Sequence, residues 1–91
     1  MDQRAAYRQL RRGMAFHRAG RPAEAEPLYR AVADALPDNA DALHLLGLAL
    51  SEQDRFDDAL ALIERAIELN PDAAPFRHNI AGIYRRVGRI S

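Results

Sequence analysis

Three histidines, one adjacent pair of acids and a run of arginines are the residues of this 91-residue chain that could do chemistry. His44 and His78 lie 34 residues apart, with His17 in an earlier part of the chain. Two histidines on neighbouring helices can meet across the ~8–10 Å between helix axes. A metal site needs three or four ligands converging within a few ångströms. There is no cysteine, and few carboxylates are near enough in register to complete a set. No metal site and no cofactor are expected. Asp57 and Asp58 resemble a carboxylate pair for acid–base work, but they open a helical stretch, where acids stabilise the helix dipole. Ser51 and Ser91 are the only serines, and no glycine-rich phosphate loop is present. The sequence supplies no catalytic residue, and enzyme activity is not expected.

The arginines divide the chain by charge. Residues 1–21 carry six arginines and one acid, residues 22–72 three arginines and 12 acids, and residues 73–91 four arginines and no acid. Arg4, Arg8, Arg11, Arg12 and Arg18, with Tyr7 as a stacking residue, form the face that nucleic-acid binding would use. The acidic middle interrupts any continuous basic stripe and disfavours that reading. A basic–acidic–basic order does allow the ends of one molecule to attract the middle of another. With 48% hydrophobic and 29% charged residues and a formal net charge of +0, the composition is that of a small soluble domain. No apolar run approaches a membrane span, and the polar Met1-Asp2-Gln3-Arg4 start lacks a signal-peptide core, so the cytoplasm is the default location.

The elements that must position these residues are helices. Leu43, Leu46 and Leu50 form one apolar stripe, and Phe56, Leu60, Ile63 and Ile67 form the next. Only Gln53-Asp54-Arg55 separates them, which fits an antiparallel hairpin. Residues 4–19 read as a helix closed by Gly20, residues 22–36 as a helix stopped by Pro37, and residues 74–87 as a fifth helix closed by Gly88. Pro27 removes one ladder hydrogen bond and predicts a kink or a late helix start.

Gly13, Ala25 and Pro37 return as Gly47, Ala59 and Pro71, each at the same 34-residue offset. A fixed long period of small residues marks a stacked repeat. The segment from Ala40 to Ala73 supplies Leu43, Leu46, Gly47, Leu50, Ala59, Ile63, Ala66 and Pro71 in the order of the tetratricopeptide repeat, which it resembles. A first copy supplies Gly13, Phe16, Ala25, Tyr29, Val32 and Pro37 but departs at Gln9 and Arg12, where the pattern asks for apolar residues. A third supplies Ile80, Ala81 and Tyr84 and breaks off after Gly88-Arg89-Ile90. The expected fold is all-α, a right-handed α-α superhelix of five helices and about two and a half repeats in a single domain. Repeat one covers residues 6–39, repeat two 40–73 and a partial third 74–91.

In that family the first helix of each repeat lines a concave face. The resemblance implies partner-binding residues at Leu10, Arg11, Met14, His17 and Arg18, at His44, Leu45, Leu48 and Glu52, and at His78, Asn79, Arg85 and Arg86. Leu10, Met14, Leu45 and Leu48 would form an apolar strip, with Arg18, Arg85 and Arg86 at one end and Glu52 among them. Such a groove suits a peptide with apolar anchors and an acidic end. The same residues also read as ordinary inter-helix packing and a solvated face. Leu10, Met14, Leu45, Pro75 and Asn79 replace the residues with which some relatives clamp chaperone C-terminal tails, so that partner is disfavoured. The unfinished third repeat predicts apolar surface at Ile83, Tyr84, Val87 and Ile90 and hence self-association, a homodimer through the uncapped last helix.

A non-catalytic protein- or peptide-binding scaffold is the leading expectation, as an N-terminal segment of a larger bacterial protein. A substrate-presenting arm of a glycosyltransferase- or sulfotransferase-type enzyme is the alternative, and a nucleic-acid-binding basic face the second.

Overall fold

A computed structural model of the protein describes residues 1–90, with side chains through residue 88. Five helices follow one another: α1 (Gln3–Arg18), α2 (Pro22–Ala35), α3 (Ala40–Ser51), α4 (Phe56–Leu69) and α5 (Ala74–Ile90). Among the described residues there is no strand, and no helix is long and apolar enough to cross a membrane. Three of the starts have a local cause. The Asp2 carboxylate accepts from the Ala5 N–H at 2.7 Å, and the Asn39 side-chain oxygen accepts from the Ala42 N–H at 3.0 Å, each satisfying a donor that has no partner inside its helix. Pro22 opens α2, where its missing N–H costs no helical bond. The α1–α2 and α3–α4 turns both pass through the left-handed region, at Gly20 (φ 77°) and at Asp54 (φ 61°), two positions that share one register of the repeat. Glycine adopts that conformation freely, and aspartate is among the few other residues that tolerate it.

Two expectations are corrected, in part or whole. Of the kink or late start expected at Pro27, the late start does not occur, because α2 begins at Pro22 and runs through Pro27. Ala23, whose carbonyl loses its helical partner, is exposed and can be served by water. Helix α5 does not close at Gly88 but continues to Ile90. No further helix packs against this stretch among the described residues, so nothing competes with continued helical hydrogen bonding there.

The core lies along the contact of α1 with α2 and of α3 with α4, and continues through α2–α3 and α4–α5. Tyr29, Val32, Leu46, Leu50 and Ile63 are its largest fully buried side chains. The helices of each hairpin touch at a glycine. A Cβ on Gly13 would lie 2.5 Å from Tyr29 Cε1, and one on Gly47 would lie 2.5 Å from Ile63 Cγ1 and 3.1 Å from the Ala59 carbonyl oxygen. Half-buried Glu26 ties the hairpins together: its carboxylate accepts from Gln53 at 3.0 Å and from Arg55 at 3.1 Å, both in the α3–α4 turn, and from Arg30 on its own helix at 3.1 Å. Partial burial pushes that carboxyl up, but the bonds from Gln53 and Arg30 and the charge of Arg55 outweigh it and hold Glu26 below its ordinary value.

Gly47→Leu is therefore expected to destabilise by roughly 1–3 kcal/mol through overpacking. Gly82, whose added Cβ would meet nothing nearer than Arg85 Nη2 at 3.7 Å, is the opposite case. Gly82→Ala should stabilise by up to ~1 kcal/mol through helix propensity. Urea denaturation of both variants checks the contrast.

Candidate functional site

Helix α3 is apolar nearly all round because three neighbours surround it. Leu43, Leu46 and Leu50 are buried on it together with Ala42 and Ala49, while Leu45 and Leu48 remain half-buried. These two leucines face a groove shared with α1 and α5. One pocket of about 280 Å³ is lined by Tyr7, Leu10, Arg11 and Met14 of α1, Asp41, His44 and Leu45 of α3, and Pro75 and Phe76 of α5. A second, of about 240 Å³, is lined by Met14, His17, Arg18, Tyr29, Leu45 and Leu48. Met14 and Leu45 belong to both, so the pockets adjoin across a shared apolar ridge.

Polar groups fix the walls. His17 joins two repeats: its Nδ1 lies 3.2 Å from the Tyr29 hydroxyl and its Nε2 2.7 Å from a Glu52 carboxylate oxygen. Burial pushes the Tyr29 hydroxyl up to about 12, and the Glu52 charge adds to this, so Tyr29 stays a neutral phenol at ordinary pH. His44 is 8% exposed, its ring centroid lies 4.5 Å from that of Phe76, and its Nε2 lies 2.9 Å from Asn79 Nδ2. With the Asn79 amide donating, His44 is held as a neutral acceptor. Burial pulls its pKa down, against a smaller upward pull from the Asp41 carboxylate. Among the described residues no buried side-chain nitrogen or oxygen lacks a partner.

The residues expected on the concave face are brought together only in part. Leu10, Met14, Leu45 and Leu48 do share the groove, with Leu10 as its buried floor, and Arg11, His17, Arg18 and His44 line it. Asn79 stands beside His44. Glu52 is engaged by His17 rather than placed among arginines. His78 and Arg85 are exposed. Arg86 leaves the group: its guanidinium lies 5.1 Å from the Phe56 ring centroid and donates to Asp54 at 3.4 Å, beside the α3–α4 turn. The anticipated arginine cluster therefore lacks that member.

The expected self-association surface is corrected at Ile83, which is 3% exposed and packed inward with Phe76. Val87 is half-buried against the same core. Tyr84 is exposed and donates to Glu64 at 2.5 Å, which pushes its hydroxyl pKa up. The side chain of Ile90 lies outside the described residues. No group of three metal-ligating side chains occurs among the described residues. Two groove residues escaped the sequence reading, Phe76 and Tyr29. The spacing of Phe76, Ile80, Ile83 and Val87, a single inward helical stripe, carried the signal for the first.

A family model described as "Tetratricopeptide repeat" matches residues 16–78. No curated protein matches the chain.

The lowered His44 value carries a sign. Between the folded-state value and the ordinary 6.5, the unfolded chain binds more protons than the folded one. His44 thus leaves stability intact above about 6.5 and reduces it as pH falls through that window. Thermal melts from about pH 7.5 to about pH 5.5 should show a falling midpoint. His44→Phe, which keeps a ring against Phe76, should flatten that slope; an unchanged slope would assign the effect elsewhere.

Proposed function

This chain belongs to the tetratricopeptide repeat family, whose repeats generally mediate protein–protein interaction and are typically non-catalytic, and from that premise we propose that its concave groove binds a peptide segment of a partner protein. The observation that carries the reading is the pair of adjoining pockets along α1, α3 and α5, with Met14 and Leu45 as their common ridge. Two apolar side chains of a ligand fit two such depressions, and burying them supplies most of the affinity. Arg11 and Asp41 stand at one pocket and Arg18 at the other, so the ligand's charge is read at the rim. Glu52 is occupied by His17, which leaves Arg18 to meet an acidic group beyond the second anchor. Only the first part of α5, at Pro75 and Phe76, enters this reading; further along, Ile83 is buried and the Tyr84 hydroxyl is taken by Glu64.

Selection of binders from a random peptide library on the intact chain tests the proposal. Recovered peptides should carry two apolar anchors followed by an acid. Leu45→Arg, at a half-buried groove position, should weaken them at least about tenfold, or ~1.4 kcal/mol, with little change in melting temperature. Peptides that bind the Leu45→Arg protein as well as the parent would refute the groove as the site.

A further inference from the structure

The outer face of α1 is a surface of a different kind from the groove. Arg4, Arg8 and Arg12 are exposed on the side of the helix opposite buried Ala6, Leu10 and Gly13, with exposed Ala15 among them, and exposed Arg11 and Arg18 stand where this face borders the groove. No acid lies within α1, and among the described residues none of these five arginines has a carboxylate partner. Arg21, Arg30, Arg55, Arg65 and Arg86 by contrast are each paired with one. Five like charges on one helix repel each other, and a facing anionic surface relieves that repulsion. The apolar side of α1 is committed to the core, so it has no face to insert into a bilayer.

The matching surface is on the same chain. Along α4, Asp57, Ala61, Glu64 and Glu68 fall on one exposed stripe, and beside it stand Asp58 and Arg65, the arginine being paired with Asp38. Among the described residues Asp57, Asp58 and Glu68 have no ion-pair partner, and Glu64 holds only the Tyr84 hydroxyl. Asp57 and Glu64 are two helical turns apart, the spacing that also relates Arg4 to Arg11 and Arg11 to Arg18. Ala15 on one stripe and Ala61 on the other leave room for the helix backbones to approach while the long arginines reach the acids. We propose that the arginine face of α1 docks on the acidic stripe of α4 in a second copy of this chain. Each copy carries both faces, so the contact is reciprocal or extends from one molecule to the next.

A charge exchange tests this by sedimentation velocity at low ionic strength and at about 0.5 M salt, where exposed pairs are screened. The parent should associate at low salt and dissociate at high salt. Arg8→Glu with Arg12→Glu, and separately Asp57→Arg with Glu68→Arg, should each weaken association at least about tenfold. Mixing the two variants should restore it. All four positions are exposed, and circular dichroism checks folding; Arg8→Gln with Arg12→Gln serves if the reversed pair does not fold. A parent that stays monomeric at low salt, an association indifferent to salt, or a mixture that fails to recover each overturns the proposal. Monomeric parent that binds a single-stranded oligonucleotide would assign the arginine face to nucleic acid instead.

Discussion

No room exists for a side chain at Gly13 or Gly47, and the rest of the architecture follows from that approach. Tyr29 and Ile63 occupy the space where a Cβ would stand, so the two helices of each hairpin lie as close as a ring or a branched chain permits. Packing of this kind fixes the crossing of α1 on α2 and of α3 on α4, because ridges can interlock in few ways at such a separation. Once two hairpins share one crossing, their first helices fall side by side. The groove is the surface that remains when α1, α3 and α5 are set in a row by contacts on their other faces.

Besides the shorter-range Tyr84–Glu64 bond, adjacent repeats are joined by bonds of one characteristic reach. Gln53 and Arg55 meet Glu26, Arg65 meets Asp38, Asn79 meets His44, Arg86 meets Asp54, and His17 meets Glu52. Each partner lies about one repeat away in sequence, and none joins repeat one to the partial third. Single exposed pairs contribute little. The two joints at His17 and His44 differ, because they sit on groove walls and tie binding surface to repeat stacking. A ligand that fills the groove touches the residues that hold the repeats together, so occupancy and array stability are linked through the same side chains.

Much of the fold was legible because small residues and prolines recur in register, and a glycine that must touch a neighbouring helix has no substitute of similar size. The apolar strip was legible for the same reason, since Leu10, Met14, Leu45 and Leu48 keep that register. Three things were not. Phe76 occupies the position that Ala42 holds in the preceding repeat, so its reach over His44 comes from a change of size that the register does not reveal. Tyr29 serves the core with its ring and the groove with its hydroxyl, and only the packed geometry shows the second role. Ile83 was grouped with Tyr84 as open surface, although one residue of helical rotation places the first against the core and the second in solvent. Arg86 shows the limit for long side chains, whose direction depends on where an acid and an aromatic ring happen to stand.

Gly20, Asp54 and Gly88 occupy one register of the repeat, yet the chain turns back at the first two and continues as helix through the third. That position permits a corner without commanding one. What bends the backbone is the burial gained when a second helix folds against the first. For protein engineering the junction at Gly88 is thus bimodal. A graft bearing an apolar stripe matched to Ala81 and Tyr84 would be received as a returning arm. A polar helical graft would be carried outward as a straight rod, from the same splice point.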